Sequence, residues 1–136
     1  MNIAFFLLPK AEVVCLPHDA TLRQALERME YHRYSAVPII NEDGGYQGTV
    51  TEGDLLWFMK SRPELNFENA NKVKLSEIPL RIRNLPVNID ANMDDLISLA
   101  KVQNFVPVVD DKNHFIGIVR RSEIIDYCMK ELASKA

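Results

Sequence analysis

The sequence has little cysteine, little excess charge and no long apolar run, and each shortage excludes a class of protein. Its two cysteines, Cys15 and Cys128, lie far apart and form no CxxC pair, so we expect free thiols in a reducing compartment. The formal net charge of −3 gives no field that would recruit nucleic acid or an anionic membrane. The apolar run from Ile3 to Leu8 is too short to span a membrane and lacks the flanks of a signal peptide. We therefore expect a cytoplasmic protein that binds neither nucleic acid nor membrane.

What the sequence does have is the composition of an ordinary folded domain. Apolar residues make up 47% and charged residues 26% of the 136 positions, which argues against disorder and against a fibrous repeat. The three histidines, His18, His32 and His114, have no metal-ligand spacing, and neither a phosphate-binding glycine loop nor a nucleophile elbow occurs. We expect no metal, no cofactor and no enzymatic activity.

An internal duplication is the most informative pattern in the sequence. Residues 37–44 (VPIINEDG) align with residues 106–113 (VPVVDDKN), and residues 46–50 align with residues 115–119, both at an offset of 69 positions. Upstream, the apolar positions of the preceding helix align at an offset of 71, which implies a shorter connection in the second copy. The protein is therefore expected to contain two copies of one structural unit.

Each copy is expected to contain a strand, a helix, two strands and a closing helix. Thr21 and Gln24 form a capping box before an amphipathic helix, and Asn92 caps the matching helix of the second copy. The two strands that follow are joined by a turn in which Gly44 and Gly45, or Asn113 in the second copy, allow a positive φ. The leading strands are expected at 13–16 and 85–89, and the closing helices at 52–60 and 121–130.

The predicted fold class is α/β (α+β), built from two repeated β-α-β-β-α units. We expect the first unit at residues 1–60 and the second at residues 75–136, separated by a polar linker at residues 61–74 with a short turn of helix. A unit of about 50 residues would be marginally stable alone, so the two units are expected to share a core and form one module.

These patterns resemble a tandem pair of CBS domains, the family named after cystathionine β-synthase. The strongest pieces are residues 36–41 (AVPIIN) and 48–56 (GTVTEGDLL), together with the duplication. The resemblance implies a Bateman module, in which two units pack around a pseudo-two-fold axis and bind adenine nucleotides in clefts. It also implies a stand-alone regulatory sensor that forms a homodimer through its helices and signals to an unknown protein partner.

The resemblance assigns two residues to the ribose and phosphate of a nucleotide. Family members use the Thr and Asp of a Gly-hydrophobic-x-Thr-x-x-Asp stretch, which here are Thr51 and Asp54. A carboxylate can accept from both ribose hydroxyls, and a helix N-terminus offers N–H groups to phosphate. The same pair is also an ordinary helix cap with an acidic third residue, which stabilises any helix. Both roles stay open, and they are compatible.

The resemblance also implies where the base would lie. In the family, the segment before and at the strand proline lines the adenine pocket, and the leading strand flanks it. The residues concerned are Val14, Cys15, Tyr34, Ser35, Ala36, Val37 and Pro38. Tyr34 can stack on a base and Ser35 can hydrogen-bond to it. The alternative is an ordinary strand entry with a half-buried tyrosine.

The second copy departs from the family pattern, because Arg120 and Glu123 replace the Thr and the Asp. Arg120 and Arg121 suggest a phosphate clamp, and the alternative is a solvated pair at a helix start. We therefore expect one good site and not two equivalent ones. The tyrosine-serine-alanine run with an arginine pair is also similar to stand-alone CBS proteins that bind cyclic di-AMP. The ligand stays open among AMP, ADP, ATP and cyclic di-AMP.

A second hypothesis is a dimeric scaffold that binds no nucleotide. Trp57, Phe58 and Met59 form an apolar cluster on the first closing helix, which favours a protein interface if the cluster is exposed. The alternative is that Phe58 is a core residue and that the linker partly covers Trp57. A nucleotide-dependent shift in melting temperature distinguishes the sensor from the scaffold.

Overall fold

A computed structural model describes residues 2–135 and has a mixed α+β architecture with two sheets, which confirms the predicted fold class. The helices are α1 (Leu22–His32), α2 (Glu52–Lys60), α3 (Met93–Ala100) and α4 (Arg121–Ser134). The strands are β1 (Leu8–Pro9), β2 (Leu16–Pro17), β3 (Ala36–Ile40), β4 (Tyr46–Thr51), β5 (Val87–Asn88), β6 (Phe105–Val109) and β7 (Phe115–Arg120). Each copy has the predicted order of strand, helix, strand, strand and helix.

The protein divides into two compact units. The first unit is Val14–Arg83, and the second unit is Met1–Val13 together with Asn84–Ala136. These limits differ from the expected 1–60 and 75–136. They differ at the N-terminus, because β1 pairs antiparallel with β7 and thereby joins the second unit, and at residues 61–83, which belong to the first unit.

The residues predicted as a linker belong to the first unit. The expected short turn of helix is present as a 3-10 helix at Ala70–Lys72, and a second one follows at Leu75–Glu77. Ala70, Leu75 and Ile78 are buried in the core cluster of the first unit. The segment that follows α2 is therefore part of the folded core of this unit and not a linker.

The two units have the same strand register. In the first unit β3 pairs antiparallel with β4, and Val37 lies opposite Val50. In the second unit β6 pairs antiparallel with β7, and Val106 lies opposite Val119. The leading strands β2 and β5 run parallel to β3 and β6 at equivalent positions. The duplication seen in the sequence is therefore a duplication of structure.

Local signals explain the ends of the elements. The Thr21 hydroxyl accepts from the N–H of Gln24, whose side chain accepts from the N–H of Thr21, and Asn92 heads an equivalent box in α3. In the two hairpin turns Gly44 has a φ of 85° and Asn113 a φ of 65°, as expected. Each predicted cap and turn is confirmed.

The buried apolar residues form one cluster in each unit. The cluster of the first unit includes Leu16, Leu22, Val37, Val50 and Leu55. The cluster of the second unit includes Ile3, Met93, Leu96, Val106, Val108, Val119 and Ile124. Each unit therefore has a core of its own, in which the inward faces of a sheet and of its helices are removed from water.

Candidate ligand site

The first unit brings the predicted ligand residues to one end of its three-stranded sheet. Val14 and Cys15 precede β2, residues 34–38 comprise the approach to β3 and its first three positions, and Thr51 ends β4. The N–H of Glu52 donates to the C=O of Ser35 at 2.9 Å, which holds the start of α2 against the entry to β3. Backbone hydrogen bonds therefore fix the positions of these segments.

Thr51 and Asp54 form a complete capping box on α2. The Thr51 hydroxyl accepts from the N–H of Asp54 at 3.2 Å, and Oδ2 of Asp54 accepts from the N–H of Thr51 at 2.9 Å. Asp54 is only 2% exposed. The capping role is confirmed, and it places a threonine hydroxyl and a buried carboxylate together at a helix N-terminus.

The second carboxylate oxygen of Asp54 binds a segment that sequence reasoning did not connect with it. Oδ1 of Asp54 accepts from the N–H of Arg81 at 2.9 Å. The Arg81 guanidinium lies over the Trp57 ring, 5.7 Å from its centre. A Cβ added at Gly48 would lie 2.8 Å from Cδ1 of Leu80. Residues 79–83, which we call the strap, therefore pack against β4 and α2 and cover the carboxylate of Asp54.

The residues predicted to surround the base differ in exposure. Tyr34 is 47% exposed, and its ring stacks on the ring of His32 at 5.6 Å between centres. Ser35 is exposed, whereas Val37 and Pro38 are buried. The side chains that can contact a ligand directly, those of Tyr34 and Ser35, therefore lie before β3. Val37 and Pro38 belong to the core.

The half-buried Val14 makes no backbone hydrogen bond within residues 2–135. The N–H of His18 donates to the C=O of Ile40. Along the parallel pairing of β2 with β3 the same pattern repeats every two residues, so the carbonyl of Val14 faces the nitrogen of Pro38. Pro38 has no N–H and cannot donate to that carbonyl. Within residues 2–135, no side chain is hydrogen-bonded to the backbone of Val14. The next residue is held differently, because Arg28 donates to the C=O of Cys15 at 2.6 Å.

The arginine pair lies in the second unit. Arg120 is exposed, and its Nη2 lies 3.3 Å from Oε1 of Glu123. Arg121 donates from Nε to the C=O of Gln103 at 2.9 Å, and its N–H donates to the C=O of Asn104. Both arginines are thus at the start of α4, where Arg121 also holds the entry to β6.

Gln103 is a second residue that sequence reasoning missed. It is a polar side chain with 2% exposure, and it makes three hydrogen bonds to backbone groups. The available signal was the repeat alignment, because the offset of 69 places Gln103 on Tyr34. No local pattern marks either Gln103 or the Arg81 N–H as a partner.

The helical face of the first unit carries an open groove of mixed polarity, in which Glu30 and Glu52 lie among apolar side chains. It has a volume of about 990 Å³ and is lined by Leu26, Met29, Arg33, Leu56, Met59 and Phe67, among others. Leu56 is 59% exposed, and Phe67 is also exposed. Within the Trp57–Met59 cluster, Phe58 is a core residue, and Trp57 remains partly exposed between Lys60 and Arg81.

The described part of the protein has neither a candidate metal site nor a candidate membrane-spanning helix. Between residues 2 and 135, no group of three or more His, Cys, Asp or Glu residues is arranged to hold a metal ion. Over the same range, every helix is too short or too polar to cross a bilayer.

Comparison with known proteins identifies two CBS domains in this chain. The sequence model of the CBS domain matches twice, at residues 7–61 and 75–130. A CBS domain-containing protein of Dictyostelium discoideum is 30% identical over 120 residues, which cover 84% of this chain and 83% of that protein. An uncharacterized protein of Methanocaldococcus jannaschii is 25% identical over 139 residues, covering 79% of this chain and 81% of that protein.

Solved structures share the fold at lower sequence identity. The CbpB protein of Listeria monocytogenes, solved in complex with c-di-AMP, matches with a TM-score of 0.81 and 19% identity over 98% of both proteins. The protein CBSX2, solved in complex with AMP, matches with a TM-score of 0.72 and 19% identity over 95% of this protein and 96% of that one.

Proposed function

Since the chain belongs to the CBS-domain family, we propose that it is a regulatory, non-catalytic module that binds an adenine nucleotide. The observation that carries this proposal is that the backbone of Val14 has no hydrogen-bond partner among residues 2–135 and lies at the same end of the sheet as a partly exposed tyrosine and the N-terminus of α2. The two structural relatives named above were solved with c-di-AMP and with AMP, both of which contain adenine. The proposed ligand class therefore rests on the family and on the donors and acceptors of the first unit.

The proposed base position uses backbone groups for recognition. The N–H and C=O of Val14 offer one donor and one acceptor, which match the adjacent acceptor and donor on an edge of adenine. Tyr34 stacks on the base, and Ser35 hydrogen-bonds to it or to phosphate. Cys15 and Ala36 complete the apolar surroundings, and the buried Val37 and Pro38 support them from the core.

The proposed sugar and phosphate position uses the start of α2. The Thr51 hydroxyl accepts from the N–H of Asp54 and still has a proton to donate. The two oxygens of Asp54 each accept one hydrogen bond, so they retain lone pairs for ribose hydroxyls. Arg120 and Arg121, at the start of α4 in the second unit, stay proposed as a phosphate clamp, because guanidinium groups form paired hydrogen bonds with phosphate oxygens.

The strap supplies the proposed signal. Asp54 is nearly inaccessible while the N–H of Arg81 is bound to it, so a ribose that reaches the carboxylate must displace residues 79–83. That displacement changes the surface around Trp57, which Arg81 covers in this structure. A ligand that binds only the state with the displaced strap shifts the population toward that state. A cytoplasmic partner protein then binds the changed surface around Trp57.

Thermal melting tests the proposal directly. Wild-type protein is melted with AMP, ADP, ATP and cyclic di-AMP, each at about 1 mM. A ligand at a hundred times its dissociation constant adds roughly 2.7 kcal/mol to stability, so we expect an upward shift of several degrees for at least one of them. Asp54→Asn should reduce the shift. Asp95→Asn is the matched control, because Asp95 has the same position in the capping box of α3.

A homodimer is the second part of the proposal. The exposed side groups of Leu56 and Phe67 at the groove of the first unit favour a surface that is covered by a second copy of the protein. Light scattering after size-exclusion chromatography should give twice the monomer mass for wild type and the monomer mass for Leu56→Asp. If no nucleotide shifts melting but the dimer persists, the scaffold hypothesis replaces the sensor.

A further inference from the structure

The strand registers establish which residues of the two units correspond. Leu16 lies opposite Ile39 in the first unit, and Val87 lies opposite Val108 in the second. Two residues before these positions, Leu85 corresponds to Val14. The N–H of Glu52 donates to Ser35 just as the N–H of Arg121 donates to Asn104. Gln103 therefore corresponds to Tyr34.

In the second unit the backbone of Leu85 is fully bound by the Gln103 side chain. Oε1 of Gln103 accepts from the N–H of Leu85 at 2.8 Å, and Nε2 donates to the C=O of Leu85 at 3.2 Å. Nε2 also donates to the C=O of Phe105 at 3.2 Å. These partners all lie in one unit, and Gln103 is 2% exposed. Both backbone groups that correspond to those of Val14 are thus occupied.

The carboxamide presents the same hydrogen-bonding pattern as an edge of adenine. A glutamine amide places an acceptor oxygen beside a donor NH₂, and adenine places an acceptor ring nitrogen beside its donor N6–H₂. Either group can satisfy the N–H and the C=O of one residue at once. Pro107 explains why the carbonyl of Leu85 needs such a partner, because it lacks an N–H as Pro38 does.

Two further contacts fix Gln103 in this position. Arg121 donates from Nε to the backbone carbonyl oxygen of Gln103, which holds the segment at the start of α4. Phe105 is buried where the first unit has the small Ala36. Tyr34, by contrast, is partly exposed and stacks on His32, and it leaves the backbone of Val14 open.

We propose that the side chain of Gln103 occupies the base position of the second unit, so that the protein binds one adenine nucleotide, at Val14 in the first unit. This inference rests on the proposed function, and it identifies the residue that makes two duplicated positions unequal. Gln103 thus determines which unit binds a nucleotide, because its side chain takes the place of the base in the second unit.

Amide hydrogen exchange in the wild-type protein is the first test. The Leu85 N–H is bound to a buried side chain, so it should exchange slowly with and without ligand. The Val14 N–H should exchange faster in the free protein and become protected when AMP is added. Titration calorimetry should give one AMP per protein monomer. Equal binding of two AMP molecules, or protection by AMP at Leu85 and not at Val14, would overturn the inference.

Replacement of Gln103 is the second test, with free adenine as the probe. Gln103→Ala leaves the Leu85 N–H and C=O without partners and removes the carboxamide from the base position, so adenine, whose edge pairs with both groups, should raise its melting temperature by several degrees. Gln103→Met loses the same hydrogen bonds but fills the base position, and adenine should leave its melting temperature unchanged. If Gln103→Ala does not fold alone, the readout is its refolding yield with and without adenine.

The two tests separate the inference from the proposed function. A wild-type protein that binds no nucleotide contradicts the proposed function, while rescue of Gln103→Ala by adenine still supports the equivalence of the amide and the base. A wild-type protein with two equal AMP sites supports nucleotide binding and contradicts the role of Gln103. If adenine shifts the melting temperatures of Gln103→Ala and Gln103→Met equally, the inference is overturned, whether or not the wild-type protein binds a nucleotide.

Discussion

Oδ1 of Asp54 lies 2.9 Å from the backbone nitrogen of Arg81, which is 27 positions later in the sequence. The other oxygen of the same buried carboxylate accepts from the N–H of Thr51. Asp54 thus joins the start of α2 to the strap through two backbone donors. Whatever it does for a ligand, this residue has a structural role that a simple helix cap does not have.

Asp54→Ala should therefore destabilise the protein more than a typical cap replacement. It leaves the N–H groups of Thr51 and Arg81 without their partner in a partly buried position, and each lost partner costs about 1–2 kcal/mol, in the lower part of the usual range. We expect a loss of about 2–4 kcal/mol in the free energy of unfolding, measured with urea. The control is Asp95→Ala, which removes the exposed capping box of α3 and should cost about 1 kcal/mol. Equal losses would contradict the role of the strap contact.

Ligand binding should be visible in the emission of Trp57, the single tryptophan of the protein. The Arg81 guanidinium lies over its ring, and displacement of the strap removes that cation. Addition of AMP should therefore change the intensity or the emission maximum. Arg81→Ala should give a ligand-free spectrum close to that of the AMP-bound wild type. Binding detected by calorimetry without any change in emission would argue against strap displacement.

The glycines at matching positions of β4 and β7 should tolerate alanine differently. At Gly48 the new methyl group would meet only the end of the Leu80 side chain, which is flexible, so the cost should be about 1 kcal/mol. At Gly117 the φ is 155°, and the methyl group would clash with the carbonyl oxygen of Leu8. Backbone strain and overpacking together predict a loss of about 2–5 kcal/mol for Gly117→Ala. Similar melting temperatures for the two variants would contradict the β1–β7 pairing.

Acid sensitivity should depend on Asp110 in the turn of the second unit. The backbone N–H of His114, and then that of Lys112, lower the pKa of Asp110 below its ordinary value of 3.8. Because the folded pKa is the lower one, this stabilisation is present above the unfolded pKa. It is lost as the pH falls through the folded pKa.

Asp110→Asn should keep the turn and reduce the loss of stability below about pH 4. Asn41 shows that an amide can accept the same two bonds, because its Oδ1 accepts from the N–H groups of Asp43 and Gly45. The measurement is urea unfolding at neutral pH and at several acidic values. His114→Ala is the control for the neighbouring imidazole, which lies 3.4 Å from the carboxylate. An unchanged acid profile in Asp110→Asn would contradict the assignment.

Elements defined by local chemistry could be predicted from the sequence. The boxes at Thr21 and Asn92, the turn residues Gly44 and Asn113, and the limits of α2 all depend on neighbours within four positions. The closing helix α4 is longer than predicted, because no glycine or proline interrupts it before Ser134.

Features that depend on distant backbone groups could not be predicted in the same way. The strap binds Asp54 through an N–H that every residue except proline has, so no residue type marks it. The leading strand was expected at 13–16 but begins only at Leu16, because Pro38 cannot continue the ladder toward Val14. The sequence analysis missed Gln103, because the repeat alignment only pairs it with Tyr34 and the structure alone shows what its side chain binds.

The assignment of residues 1–13 to the second unit gives the protein a nested topology. The first unit occupies one continuous stretch, Val14–Arg83, and both flanking stretches belong to the other unit. A fragment that ends at Lys60 would lose Ala70, Leu75 and Ile78 from its core, whereas a fragment of residues 14–83 keeps them all. In terms of architecture, the first repeat is a domain inserted within the second, and a natural place to divide this protein is at residues 13 and 84.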